Sequence, residues 1–341
     1  DSLIIRKSIF ETLMGTSSDE YFLKMNELNE AKIVKQEAKY SLDEFEKENP
    51  NLKLTLEAVK TEEESLIKQI QKLVENRNIN LKKGVEKMKI ISLANPKGGS
   101  GKTVSAVNIS YALANRGYKT LLIDTDPRGA VEIYLGINNI NTLFELIKEQ
   151  YELFNVDNFQ KYITHKNKLD IITSNFTISK LDRFFDTDIE GELDSISDIK
   201  YLFQSYDYVI FDTEGTINNL TKAVLKVTDY IFTPMQASSI DMSGVRDLLN
   251  TFEFSKRRNH NLEIKKIFLV RAKQNTNAYK NFKEQLKNYF NEEQFSEVSI
   301  REDQNIINSM SGKIDIFNYK STSNSAIDYR NLVDEFLDGM N

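Results

Sequence analysis

The sequence predicts an α/β fold with a doubly wound, mostly parallel sheet over residues 88–341. From Lys89 onward, short apolar runs alternate with amphipathic segments, which is typical of parallel strands whose connecting helices cover both faces of the sheet. A glycine-rich segment, residues 95–103, follows the first of these runs, where sheets of this class bind ligands. Residues 1–87 contain no strand-like run, so we predict a separate helical extension there.

The order of elements follows from the apolar pattern. Short apolar runs bounded by polar or glycine residues predict strands at residues 89–95, 120–124, 169–173, 207–212, 229–234 and 265–270. Amphipathic segments between and after these runs predict helices at residues 103–116, 141–149, 218–226, 240–258, 277–290 and 324–338.

The N-terminal extension carries a coiled-coil pattern. Between residues 52 and 73 apolar positions recur at alternating spacings of four and three, interrupted by Glu63, and residues 25–45 show a looser version. Asn49-Pro50 breaks the helix between them. We therefore predict an antiparallel helical hairpin, residues 20–45 and 52–76. The extension has no excess of basic residues, which favours dimerisation or docking over a grip on DNA.

Composition excludes several classes of protein. The chain has 341 residues, 40% of them hydrophobic, and a formal net charge of −6. Because it has no cysteine, it has no disulfide, thiolate zinc site or iron–sulfur cluster. It also lacks an apolar run of about 18 residues, so we predict no transmembrane helix. With no visible signal peptide, we expect a cytoplasmic protein.

The glycine-rich segment carries the most specific motif. Lys97-Gly98-Gly99-Ser100-Gly101-Lys102-Thr103 lies between a predicted strand and a predicted helix that continues from Val104. In that context Gly-x-x-x-x-Gly-Lys-[Ser/Thr] is a P-loop, although Pro96 replaces the first glycine. Backbone N–H groups surround the phosphates, Lys102 reaches the terminal phosphates and the Thr103 hydroxyl binds Mg²⁺. Predicted nucleotide contacts are Lys97, Gly98, Gly99, Ser100, Gly101, Lys102, Thr103 and Val104.

The second lysine of this loop, Lys97, resembles the deviant P-loop of the ParA/MinD (Soj-like) ATPases, which segregate DNA or position cargo. Residues 120–129 resemble that family's Asp-x-Asp-Pro-Gln-Gly segment, and residues 206–213 resemble its Walker B strand. The resemblance extends over about residues 88–340 and leaves out residues 1–87. It implies a P-loop NTPase of the SIMIBI type with ATP and Mg²⁺ as ligands.

The resemblance also implies catalytic roles. Lys97 would reach across a dimer interface to the partner's nucleotide, and Lys102 would contact the phosphates of its own subunit. Asp126 matches the family aspartate that orients the attacking water. Phosphoryl transfer depends mainly on positioning and charge neutralisation, which are roles that suit these three side chains.

The resemblance also implies contacts with the metal ion and with the adenine base of the nucleotide. Thr103 and Asp212 would hold Mg²⁺, and Asp124 would support it through water. Asp212 ends an apolar run, and a buried carboxylate there is costly unless an ion or hydrogen bonds accompany it. Pro234 lies in a segment that resembles the family's approach to the adenine pocket.

Three residues depart from the family pattern. Arg128 replaces the usual glutamine after Asp-Pro, and Pro96 replaces a usual glutamine before Lys97. After Asp212, where a proline pair is usual, this chain has Thr213-Glu214-Gly215. Arg128 could neutralise phosphate charge or be a solvated loop residue. Glu214 could position water or be a polar residue of a switch region. The resemblance therefore implies ATP binding and leaves the hydrolysis rate open.

As partners, the resemblance implies a homodimer formed on ATP binding, nonspecific double-stranded DNA and a ParB-like or other adaptor that stimulates hydrolysis. The protein would then be nucleoid-associated and would partition a plasmid, mobile element or chromosome. The acidic C-terminal helix argues against membrane attachment. Candidate DNA contacts are Lys256, Arg257, Arg258, Lys265, Lys266, Lys280, Lys283, Lys287 and Arg301.

Three alternatives stay open at this point. One is a related ATPase that positions a protein assembly instead of DNA. Another is a nucleotide-gated interaction module with negligible turnover, which Arg128 and Glu214 would favour. The last is a metabolic P-loop ligase related to dethiobiotin synthetase.

Overall fold

The computed structural model describes residues 88–153, 156, 158–181, 195–216, 218–237 and 241–339. The chain separates into two compact units, residues 1–87 with 149–157 and residues 88–148 with 158–341. The second unit contains the β-sheet. The predicted coiled-coil hairpin lies outside the described residues and stays a prediction.

A seven-stranded sheet is the framework of the second unit, with strand order β3-β4-β2-β5-β1-β6-β7. Neighbouring strands are parallel except for the antiparallel β3–β4 pair at one edge. The strands are β1 Lys89–Leu93, β2 Thr120–Asp124, β3 Thr164–Lys166, β4 Leu169–Ile172, β5 Tyr208–Asp212, β6 Tyr230–Met235 and β7 Glu263–Leu269. β2 and β5 are buried at every residue, as expected for strands covered on both faces.

Helices cover the sheet, here numbered in chain order within the described ranges. They are α1 Lys102–Asn115, α2 Ala130–Leu135, α3 Leu143–Leu153, α4 Ser195–Ile199, α5 Asn219–Val227, α6 Asp241–Lys256, α7 Asn277–Leu286, α8 Gln304–Ser311, α9 Ile316–Lys320 and α10 Asn324–Asp338. Short 3₁₀ turns occur at Phe159–Tyr162, Phe176–Lys180, Lys200–Phe203 and Glu292–Gln294.

The C-terminal helix α10 packs against the sheet and α1. The Phe336 ring meets three aromatic rings of β5 and β6 edge-on. The Tyr329 hydroxyl lies 3.1 Å from the Ser105 hydroxyl of α1, and both residues are buried. The apolar face of α10 is therefore part of the core. None of the described helices is both long and apolar enough to cross a bilayer.

The predicted α/β fold is confirmed, and each predicted strand and helix is present with small shifts of its ends. The helix predicted at residues 277–290 ends earlier, at Leu286. Strand β3 was not predicted because it has only three residues, none of them buried. Helices α2, α4, α8 and α9 were also missed, since five to eight residues hold too little of a helical repeat to detect.

Candidate nucleotide site

The carboxyl ends of three neighbouring strands bring the predicted motifs together. β5 lies between β1 and β2, and its last residue, Asp212, is in register with Leu93 on one side and Asp124 on the other. The P-loop begins directly after Leu93, and Asp126 lies two residues beyond Asp124. The edge of the sheet where α/β folds bind ligands thus carries all three motifs.

The P-loop backbone has a shape that depends on glycine. Gly101 has φ 92°, in the left-handed region, and caps α1 without a side-chain hydrogen bond. The first N–H groups of α1 consequently face the loop with no side-chain acceptor at the cap, which is the usual anion site of a helix N-terminus. Gly215, in the segment after β5, approaches so closely that an added Cβ would lie 3.0 Å from the Cα and N of Gly98.

Lys102 is buried and folded back over the loop. Its Nζ donates to the carbonyl oxygens of Asn95 and Lys97, at 2.9 Å each, and lies 3.4 Å from the Ser100 hydroxyl. Burial lowers the pKa of Lys102, and the Asp212 carboxylate opposes that change. The ammonium group therefore lies inside the loop, beside the N-terminus of α1.

Asn95 is a supporting residue that the sequence analysis did not single out. Its buried side chain donates from Nδ2 to the Pro234 carbonyl at 2.8 Å and accepts from the Lys97 N–H at 3.0 Å. Gln236, directly after β6, also contacts the P-loop, since its Nε2 donates to the Gly99 carbonyl at 2.7 Å. Asn95 thereby joins the P-loop to β6. Its signal in the sequence is a polar side chain placed directly after a buried strand.

Two buried carboxylates, Asp124 and Asp212, lie side by side at the ends of β2 and β5. Asp124 accepts hydrogen bonds from the backbone N–H groups of Asp126 and Val131, at 2.8 and 2.9 Å. Burial and the charge of Asp212 together raise the pKa of Asp124 well above its usual range. Burial also raises the pKa of Asp212 to about 7, and the nearby Thr103 and Lys102 side chains oppose this rise.

The Asp212 side chain is a candidate ligand for Mg²⁺. It is fully buried, and neither carboxylate oxygen has a well-formed hydrogen bond to any described residue. Such an orphaned charge is costly unless a cation or ordered water accompanies it. In the described ranges no cluster of three or more His, Cys, Asp and Glu side chains is arranged to hold a metal alone. Mg²⁺ suits this donor set because it retains waters and shares its coordination with phosphates.

Asp126 is held by Arg128. Arg128 donates to Asp126 Oδ1 from its backbone N and Nε, each at 2.9 Å, and to Oδ2 from Nη2 at 2.6 Å. Burial would raise the pKa of Asp126, but these bonds and the guanidinium charge outweigh it and lower that pKa. The position of Arg128 in this loop is evident from the sequence, whereas its bidentate contact with Asp126 is a feature of the folded structure.

The remaining predicted residues lie at or near the loop. Lys97 is half-buried, and its carbonyl and N–H groups shape the P-loop. Val104, in the first turn of α1, packs against the core. Pro234 is buried inside β6 and meets the loop through its carbonyl. Glu214 accepts from Asn218 Nδ2 at 2.8 Å, so it supports the turn that begins α5. All these ligand roles stay predictions.

Comparison with known proteins supports the family that the sequence motifs resemble. A family model described as an AAA domain (AAA_31) matches residues 88–264, just over half of the 341 residues. The sporulation initiation inhibitor protein Soj of Bacillus subtilis is 28% identical over 214 residues, which cover 62% of this chain and 83% of Soj. The chromosome partitioning protein ParA of Caulobacter vibrioides is 29% identical over 197 residues, covering 54% and 69%.

A solved structure agrees with these relatives. A Borrelia burgdorferi B31 protein bound to AMPPNP matches with a TM-score of 0.59 and 28% identity, over 74% of this chain and 100% of that one. The matched region contains the P-loop, the Asp-x-Asp-Pro segment and the Walker B strand, whose ends meet at one edge of the sheet. The chain belongs to the AAA_31 family of AAA domains and is a P-loop ATPase of the ParA/MinD type.

Proposed function

We propose that this protein is a ParA-type ATPase that dimerises on ATP binding, binds nonspecific double-stranded DNA and partitions a plasmid, mobile element or chromosome. The observation that carries the proposal is the meeting of Lys102, Asp124, Asp126 and Asp212 at one end of β1, β2 and β5. The similarity to a chromosome partitioning ParA and to Soj supports the choice of process.

The site residues divide the work of phosphoryl transfer. Lys102 and the N-terminus of α1 offer positive charge to the phosphates, and Thr103 and Asp212 would hold Mg²⁺. When bound, Mg²⁺ neutralises charge on the phosphate oxygens. Asp126 would orient the attacking water as a hydrogen-bond acceptor. Lys97 would contact the nucleotide of a second subunit, so that ATP joins the two.

Several candidate DNA contacts are engaged within the protein. Arg301 holds the buried Asp328 carboxylate through its backbone N–H, which donates to Oδ2 at 2.9 Å, and through its guanidinium, with Nη2 donating to Oδ1 at 2.7 Å and Nε to Oδ2 at 3.0 Å. Lys266 pairs with Glu335 of α10, and Lys256 donates to the Leu262 carbonyl. These cations stabilise the fold and are less available to phosphates of DNA.

The two arginines at the end of α6 are better placed for DNA. Arg257 and Arg258 are exposed. The Arg258 guanidinium stacks 4.8 Å from the centre of the Phe254 ring, and Lys222 of α5 approaches the same ring at 5.4 Å. We propose that Lys222, Arg257 and Arg258 form the phosphate-binding surface, hereafter the basic surface.

The test is double-stranded DNA binding by the purified protein with ATP, ADP or no nucleotide, at two salt concentrations, beside Lys97→Ala. We expect salt-sensitive binding that requires ATP and is lost in the variant, with dimers formed under the same conditions. Such binding would imply a nucleoid location. An adaptor that stimulates hydrolysis is part of the proposal and would be sought by adding candidate proteins to the ATPase assay.

A second candidate function is the positioning of a protein assembly by the same nucleotide cycle. The engagement of Arg301 and Lys266 within the fold favours it, because it leaves fewer cations for DNA. ATP-dependent dimers that do not bind DNA at low salt would select this candidate and reject DNA partitioning.

A further inference from the structure

The contact between Arg128 and Asp126 limits what that carboxylate can do. A carboxylate offers about four lone-pair positions for hydrogen bonds. Three donors of Arg128 fill three of them: its backbone N and Nε on Oδ1, and Nη2 on Oδ2. Asp126 is therefore left with about one position for any other donor, including water.

The two partners differ sharply in accessibility. The Asp126 side chain is 4% exposed, whereas that of Arg128 is 72% exposed. A group from another molecule can consequently reach the guanidinium without entering the site. The guanidinium has five N–H donors, and only Nε and one N–H of Nη2 face Asp126, so the outer edge formed by Nη1 and Nη2 remains for an anionic group. An anionic group bound at that edge would draw the exposed side chain outward and weaken its contact with the buried carboxylate.

Arg128 also belongs to the electrostatics of the whole site. The positive charge of Arg128 disfavours the charged form of Lys102 and so contributes to lowering the pKa of that lysine. The carboxylates of Glu214 and Asp212 attract the Arg128 guanidinium. The guanidinium thus lies among the charged groups of the nucleotide site, at its solvent-exposed side.

We propose that Arg128 is a positioning residue that restrains Asp126, so that ATP hydrolysis is slow until the guanidinium is drawn away from the carboxylate. The inference rests on the proposed role of Asp126 as the acceptor that orients water. It assigns the low basal rate to one side chain and makes the exposed guanidinium the point at which an acidic group of a stimulating protein acts.

The test compares steady-state kcat and KM for ATP in the wild type, Arg128→Gln and Arg128→Lys, each with and without Asp126→Asn. We expect Arg128→Gln to raise kcat about three- to tenfold, the effect of losing a charge-assisted contact, with KM changed less than about twofold. Arg128→Lys should raise kcat less, because lysine keeps the charge and loses the planar fork. In the Asp126→Asn background Arg128→Gln should have no effect.

Hydrogen exchange supplies a readout independent of turnover. If the contact restrains the turn, backbone amides of residues 126–129 should exchange faster in Arg128→Gln than in the wild type. If the wild type hydrolyses ATP, unchanged hydrogen exchange together with an unchanged or lower kcat in Arg128→Gln would overturn the inference. Absence of hydrolysis in every variant, with a fluorescent ATP analogue still bound, would instead overturn the proposed ATPase cycle and this inference with it.

Discussion

At the scale of single residues, Gly215 shows how closely the Walker B segment approaches the P-loop. An added Cβ at this position would lie 3.0 Å from Gly98 Cα and N, closer than side chains normally approach backbone atoms. Gly215 lies three residues beyond Asp212, the last residue of β5. The segment after β5 therefore lies directly against the P-loop.

Gly215→Ala tests that contact. We expect affinity for a fluorescent ATP analogue to fall about tenfold or more while the fold is retained, because the loop must shift to admit the methyl group. Gly244→Ala is the matched control: its Cβ would lie 3.8 Å from Asn95 Oδ1, an ordinary van der Waals distance. Equal affinities for the two variants would contradict the predicted role of Gly215.

At the scale of secondary-structure elements, Asp303 joins two helices. One carboxylate oxygen accepts from the Asn305 N–H and caps α8, and the other accepts from the Ser325 N–H and hydroxyl at the start of α10. Partial burial would raise the pKa of Asp303, but these hydrogen bonds prevail and lower it to about 2.

The lowered pKa of Asp303 has a pH signature in stability. Because the folded carboxylate holds its proton less tightly than the unfolded one, its contribution is complete above about pH 4 and is lost as the pH falls towards 2. We expect Asp303→Asn to lower the free energy of unfolding in urea by about 1–2 kcal/mol at pH 7, because asparagine still caps α8 but loses the charge and the acceptor oxygen that Ser325 bonds. The difference from wild type should shrink at pH 3.

Asp247→Asn, on an exposed position of α6, is the control and should change the free energy of unfolding little at either pH. A deficit of Asp303→Asn that stays constant between pH 7 and pH 3 would show that the carboxylate charge does not supply the stabilisation.

At the scale of the whole sheet-containing unit, one helix connects the nucleotide site with the basic surface. The P-loop lies at the carboxyl edge of the strands, whereas Arg257 and Arg258 precede β7 at the opposite edge. α6 runs between these edges. Near its start, a Cβ on Gly244 would lie within 4 Å of both Asn95 and Pro96. α6 therefore begins beside the P-loop and ends next to the basic surface.

Arg257→Ala/Arg258→Ala tests the basic surface. We expect weaker ATP-dependent DNA binding, with ATP affinity unchanged. The slope of the logarithm of the binding constant against the logarithm of salt concentration should fall by the amount expected for about two fewer phosphate contacts. Lys119→Ala/Lys168→Ala removes the same charge from two exposed positions away from β7, one directly before β2 and one in the β3–β4 turn, and should bind DNA as the wild type does. Equal losses in both double variants would show that binding depends on net charge and not on this surface.

The sequence predicts those features of the site that are formed by contiguous residues. The P-loop and the two aspartate segments each consist of contiguous residues, so their chemistry and order were visible. The contacts of Arg128 with Asp126 and of Arg301 with Asp328 were not. In the second pair 27 residues separate the partners, and in the first the contact depends on the conformation that the Arg128 side chain adopts. Charge patterns alone cannot distinguish a paired arginine from one available to a ligand.

The sequence by itself determined the α/β fold, the ATPase family and the residue types of the phosphate site, because strand burial and P-loop geometry impose requirements on contiguous residues. Only the tertiary structure decided that Asp212 lies between Leu93 and Asp124, that Asn95 fastens the loop to β6, and that Arg301 is engaged within the fold. These features depend on strand register and on packing between distant segments, which no local pattern specifies.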